Sequence, residues 1–250
     1  MFQRKLRWLT SLEVILILSL PLTIAKSSRS QMLPKLHKER MTLTNNSLGG
    51  YEASPKAKKT SQRRSVAGGT RSPVCQNLIA NGDLTLVVPP EKVVHLTATN
   101  NPSFFFYSKV STKVPVVYTL IDPEVAEPLV EKTLAIEKPG YYKIETPPSV
   151  KLEPQKTYLW HIAIPCSNNP DVYQEVLKAA VEYVPLSLSI STKLERANSP
   201  LEKSRIYATE GFWYDALYFA NYVRPQIPQY WQQLLADISF LKEVKNFYHQ

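Results

Sequence analysis

Glycine is scarce in this chain and badly placed for holding a phosphate. The 250 residues contain seven, and four of these (Gly49, Gly50, Gly68, Gly69) precede Val74. The other three, Gly82, Gly140 and Gly211, are too scattered to form a glycine-rich loop at a helix start. Histidine is nearly as sparse. Beyond Val74 there are His95, His161 and His249, with no His-Glu-x-x-His or Gly-x-Ser-x-Gly stretch around them. The two cysteines, Cys75 and Cys166, are too far apart for a Cys-x-x-Cys metal or redox motif. The sequence therefore predicts no catalytic residue, no metal ligand and no cofactor site. His95, alternating with Val93 and Thr97, is expected on a strand at the surface or an edge.

The formal charge of +9 invites a nucleic-acid reading until its position is examined. Residues 1–26 carry a net +3, residues 27–73 a net +8, and the chain from Val74 onward a net −2. Neutralising phosphates takes cations gathered on one folded surface. The region expected to fold has no such excess, so nucleic acid is not an expected partner.

The basic start has its own explanation. Arg4, Lys5 and Arg7 precede the apolar run "VILILSLPLTIA", Val14–Ala25. Twelve apolar residues suit the core of an export signal, whereas a spanning helix needs about 20. Thr23 and Ala25 supply small residues for cleavage after Ala25. Glu13 interrupts the run, and extension back to Trp8 would make an uncleaved anchor, so contact with a membrane is expected only through a retained signal. Residues 1–25 are read as a signal peptide, and the protein as exported to the periplasm or cell envelope. Residues 26–73 are polar, basic and aperiodic, and are read as a disordered linker that cannot bury enough surface to offset its ordering entropy. Within it, "KAKKTSQRR" offers weak adhesion to an anionic envelope surface as an alternative. In an oxidising compartment Cys75 and Cys166 are expected to form one disulfide. A loop of roughly 90 residues would contribute about 4–5 kcal/mol on the chain-entropy account.

From Asp83 to about Val184 short β-branched and aromatic runs alternate with breakers: "DLTLVV", "KVVHLTAT", "SFFFYS", "PVVYTLID", "LVEKTLAI", "YYKIET" and "TYLWHIAI". In the last of these Tyr158, Trp160 and Ile162 share one face. The pattern predicts an antiparallel β-sandwich-like domain over residues 74–185. The segment Asp171–Val184 fits either a strand or a helix; strand is preferred. Residues 186–250 are read as helical. Ser199 caps a helix, Pro200 occupies its first position and Glu202 completes a capping box. Gly211 ends that helix near Glu210, a second runs from about Phe212 to Val223, and a third starts near Pro228.

The pieces "LVVPP", "NPSFFFY", "YTLID", "YLWHIAIPC", "RIYATEGFWYDAL" and "WQQLL" together resemble the cyanobacterial exported family catalogued as domain of unknown function 928. The resemblance covers most of Cys75–Leu241. It implies a strand-rich domain followed by helices and implies no activity; no catalytic role passes to His161. Tyr207, Gly211 to Ala216, and Pro228 also fit one tetratricopeptide-like hairpin, with "WQQLLADI" resembling the opening helix of another unit.

Seven aromatic residues crowd the seventeen of Tyr207–Val223. On a helix Trp213, Ala216, Leu217 and Ala220 share one face and should pack. Tyr214, Tyr218 and Tyr222 form a neighbouring stripe. Such a stripe more often packs than binds; the alternative is a groove for a partner protein or a glycan. Asp122 and Glu124 in "LIDPEVAEP" suit an ordinary turn beside Pro123 and Pro128, with a cation site or an acid–base pair as the alternative. The function expected on balance is a non-enzymatic envelope module that binds a protein first and a glycan second. The rival is a hydrolase with dispersed carboxylates, to be distinguished by a convergent carboxylate cluster in a pocket.

Overall fold

A computed structural model describes residues 50–55, 57–59, 82–89, 93–165 and 173–236. The signal segment 1–25, most of the linker, Cys75, Cys166 and His249 lie outside the described residues, as does the chain beyond Ala236. The described strands are β1 (Leu84–Leu86), β2 (His95–Thr97), β3 (Ser103–Ser108), β4 (Thr112–Ile121), β5 (Val130–Ile136), β6 (Gly140–Glu145), β7 (Thr157–Pro165) and β8 (Tyr173–Tyr183). The helices α1 (Leu188–Arg196), α2 (Pro200–Thr209), α3 (Trp213–Val223) and α4 (Pro228–Leu234) follow. The chain is thus mainly β with a helical C-terminal part.

Two sheets form, in the orders β1-β3-β6 and β2-β8-β7-β4-β5. All pairs are antiparallel except β2–β8, which run parallel with His95 opposite Val181. The expected purely antiparallel pairing is corrected at this one place. The short β2 is reached by a long excursion from β8 in sequence, and nothing in local spacing marks such a pairing as parallel. The segment from Asp171 that fitted either state is a strand from Tyr173. Its Leu177, Ala179, Val181 and Tyr183 alternate onto the core face, and it pairs with β7 along most of its length.

Strand β3, "SFFFYS", shows no alternation because all six residues are buried. Phe104 faces the larger sheet, its ring 5.8 Å from that of Tyr118 and 4.9 Å from that of Trp160. Phe105 faces the other way, toward Trp231 of α4 at 6.1 Å. The smaller sheet therefore has a covered layer on each side. A strand buried on both faces reads as a continuous apolar run.

The helix ends follow the local chemistry. Ser199 Oγ accepts from the amide of Glu202 at 3.2 Å, and the Glu202 carboxylate accepts from the amide of Asn198 at 2.8 Å, one residue before the expected box partner. At the other end of α2, Gly211 has φ of +83°. Gly211 N–H donates to Ala208 O and Phe212 N–H to Tyr207 O, while the rings of Phe212 and Tyr207 meet edge to face. This is a glycine-terminated Schellman end with its hydrophobic contact. Buried Ser204 then ties three helices: its hydroxyl donates to Ala216 O and pairs with Tyr230 Oη at 2.9 Å. Helix α1 had no counterpart among the helices expected from spacing. It is capped by Ser187, buries Leu194 alone, and leaves Leu188 in solvent.

Segment 50–59 falls inside the span read as a linker, yet part of it is docked. Tyr51 is buried, with its ring edge-on to Trp213 at 4.9 Å. Lys59 bridges to Val93 beside β2.

Candidate functional site

The tyrosine stripe divides along the length of α3. Tyr214 is only 1% exposed. Its hydroxyl accepts from Trp160 Nε1 at 2.9 Å and donates to Ala180 O at 3.0 Å. Burial pushes the phenol well above its ordinary range, so it stays a neutral donor. Tyr214 is a core residue joining α3 to β7 and β8, and the reading that placed it in a partner groove is corrected. The first turn of α3 inserts at the junction of the two sheets, where Phe104, Trp160 and Tyr214 converge. Trp213 beside it is fully buried, with Nε1 donating to Val87 O at 2.9 Å, as its helical face predicts.

One and two turns on, the stripe emerges. Tyr218 is 42% exposed and Tyr222 69%. Lys143 of β6 lies over the Tyr218 ring, 5.4 Å from its centroid. Lys143 and Tyr141 sit on the same face of β6, two residues apart. Over Tyr141, in turn, lies the guanidinium of Arg224 at 5.4 Å, which also covers the Trp231 ring at 5.2 Å. On the far side Phe219 stacks on Tyr207 with Lys203 above it. The result is a continuous corner of partly exposed rings and cations from β6, α2 and α3, backed by the buried Trp231 of α4. Cation–ring contacts of this kind contribute about 0.5–1 kcal/mol each when exposed. Sequence spacing could locate Tyr218 and Tyr222 but not Lys143, Tyr141 or Arg224, because the contact joins a strand to a helix far along the chain.

The acidic pair is tied up. Lys156 Nζ lies 2.6 Å from Asp122 Oδ2 and 2.8 Å from Glu124 Oε2. Asp122 Oδ1 accepts from the amide of Glu124, and Asp122 O from that of Val125, which makes the turn that proline placement implied. The hydrogen bond from Lys156 holds the Asp122 carboxyl below its usual range. Among the described residues no group of three or more His, Cys, Asp or Glu is placed to hold a metal ion.

The histidines take separate positions. His161 on β7 is half-buried; burial, with the charge of Lys178 behind it, lowers its pKa to about 4, so it is neutral at pH 7. His95 lies on β2, the edge strand of the larger sheet, as one of the two expected positions had it, but it is buried and not at the surface: Nδ1 lies 2.9 Å from Tyr51 Oη. It is covered there by Tyr51, in a stretch that the sequence reading assigned to the linker.

A buried acid also escaped the sequence reading. Asp215, in the first turn of α3, accepts from the amide of Ala98 at 2.7 Å. Burial raises its pKa to about 7, against the opposing pull of the hydrogen bonds from Ala98 and Thr97. It pins the loop after β2 to α3.

Fold and surface thus define a two-sheet, mainly β protein with C-terminal helices and an aromatic, cation-bearing corner where the two parts meet. Its affiliation follows from the family comparison: residues 66–246 match the family described as Domain of Unknown Function (DUF928), and the chain belongs to that family. No curated protein matches it.

Proposed function

We propose that the protein is an exported, non-enzymatic binding module of the cell envelope. In this reading a β-sandwich-like domain carries a tetratricopeptide-like hairpin, α2–α3, and presents Tyr218 and Tyr222 to a partner protein. The observation that supports it is the exposure of these two rings, with Lys143 lying over that of Tyr218. Tyrosine is among the residue types enriched at the centres of protein interfaces. Lys143 is already paired with Glu145 of its own strand, so the partner surface should bring a carboxylate to Arg224. A basic leader that is removed after Ala25, and a disulfide between Cys75 and Cys166, belong to the same proposal, since both suit an oxidising compartment outside the cytoplasm.

The test is a photo-crosslinking residue at position 222 of the full chain in its native envelope, followed by affinity measurement with the captured protein. The Tyr218→Ala/Tyr222→Ala variant should keep its thermal transition and lose at least tenfold in affinity. Full affinity in that variant would sink the proposal, and capture of polysaccharide in place of protein would replace its partner class with a glycan.

A further inference from the structure

The contacts of segment 50–59 have the form of a ligand in a site. Tyr51 enters first. Its ring stands edge-on to Trp213, and its hydroxyl reaches His95 Nδ1 at 2.9 Å and Gly211 O at 3.5 Å. The amide of Glu52 donates to Ala208 O at 3.3 Å. Ser54 then lies directly on Gly211. A Cβ added to that glycine would come within 2.7 Å of Ser54 N, so the absence of a side chain is what admits the segment. Ser54 O accepts from the amide of Ala57, closing a turn with Pro55 at its second position. Beyond the turn the segment runs beside the residues that lead into β2: Lys58 O accepts from the amide of Val94 at 2.8 Å, and Lys59 bridges antiparallel to Val93.

The far end has its own receptor. Lys58 Nζ lies 2.9 Å from Glu182 Oε2 and 2.8 Å from Gln155 O. The Glu182 side chain is 7% exposed, and among the described residues Lys58 is its ion-pair partner. Gln155 has φ of +63°, a left-handed conformation that a non-glycine residue adopts only when its surroundings hold it. Its carbonyl and the buried carboxylate converge on one ammonium. Such a pair is costly to leave without a cation, which makes it a specificity element rather than a chance contact. A strand added to a free sheet edge, with side chains anchored in flanking pockets, is a general mode of peptide recognition.

We propose that the groove between the α2–α3 turn and the edge of β2 is a peptide-binding site. It takes a segment bearing a tyrosine, a proline turn and, seven positions after the tyrosine, a lysine. Residues 51–58 of this chain are its occupant in cis. The segment lies before residue 66, where the family match begins, so the groove belongs to the family domain and its occupant to the chain upstream. The occupant is held by side-chain anchors at its two ends, Tyr51 and Lys58, the arrangement from which a segment can be exchanged. This site is separate from the aromatic corner and does not rest on it.

The experiment uses the full chain carrying Tyr51→Ala and Lys58→Ala, titrated with a fluorescent synthetic peptide of residues 50–59. Saturable binding is expected to the variant. It should be at least tenfold weaker to the unsubstituted chain, whose own segment competes. It should likewise be at least tenfold weaker for a peptide lacking the tyrosine, and for the double variant further carrying Glu182→Gln. A folded double variant that takes up no peptide overturns the proposal, as does equal binding to the unsubstituted chain. If the double variant does not fold, Lys58→Ala alone decides. Hydrogen exchange at Glu52 and Val94 should then rise while the thermal transition of the domain stays in place; loss of both together shows that the segment is an integral part of the fold and overturns the site.

Discussion

Replacing Gly211 by alanine tests two structural requirements at one atom. The residue sits at φ of +83°, where an L side chain meets its own carbonyl at a cost of about 1–2 kcal/mol. The added Cβ would also lie 2.7 Å from Ser54 N, 2.8 Å from Ser54 Cβ and 2.9 Å from Ser54 Cα. Backbone atoms cannot rotate away as the tip of a side chain can, so segment 50–54 must lift, at a further cost of about 1–3 kcal/mol typical of overpacking. Gly211→Ala should therefore cost roughly 2–5 kcal/mol, a fall of about 4–20 °C in the thermal midpoint at about 2–4 °C per kcal/mol. Gly211→Asn separates the two terms. Asparagine tolerates the left-handed conformation but still carries a Cβ. If strain dominates, Asn should recover most of the loss; if contact with Ser54 dominates, both variants should expose the Glu52 amide to hydrogen exchange alike. An alanine variant with an unchanged midpoint and a protected Glu52 amide would refute the reasoning outright.

Other substitutions probe the core and the buried acid of α3. Trp213→Ala should destabilise by about 3–5 kcal/mol in chemical denaturation, since it empties a fully buried site and leaves Val87 O without its donor. Tyr218→Ala, on an exposed face, should cost under about 1 kcal/mol; equal losses for the two would mean that α3 does not pack as described. Asp215 sets a pH dependence. Its folded pKa, about 7, lies above the unfolded 3.8, so its contribution is fully present below about pH 4 and is lost as pH rises through about 7. At about 1.4 kcal/mol per pKa unit the loss is on the order of 2–4 kcal/mol. Asp215→Asn keeps an oxygen for the Ala98 amide and has no charge to bury. The stability of the natural chain minus that of the variant should fall between pH 5 and pH 8; a constant difference would show that Asp215 does not titrate in this range.

The strands were legible because their signal is local. Each run from "SFFFYS" to "TYLWHIAI" carries its β-branched or aromatic composition within itself and lies between breakers, and β3, β5 and β7 fall within a residue or so of the expected spans. The ends of α2 were legible for the same reason: Ser199, Pro200 and Gly211 act on backbone groups within four residues of themselves. The fate of Tyr214 against Tyr218 and Tyr222 was not. The three form one stripe that drifts about 40° per step around the helix, and both that drift and distance along the α3 axis divide them, with Tyr214 at the sheet junction and Tyr222 beyond it.

Tyr51 shows the limit most clearly. In a polar, basic stretch one tyrosine makes no period, and composition alone assigns it to a linker. Its burial depends on a bare Gly211, on Trp213 and His95 arriving from different elements, and on Glu182 waiting for a cation at the far end. The sequence by itself determined the order of strands and helices and where several of them stop, because propensity, capping and turn chemistry act over a few residues. The parallel pairing of β2 with β8, the aromatic corner and the docked segment were decided only by the tertiary structure, because each is a meeting of surfaces whose partners lie tens to more than a hundred residues apart, and no short window of sequence holds both sides of such a contact.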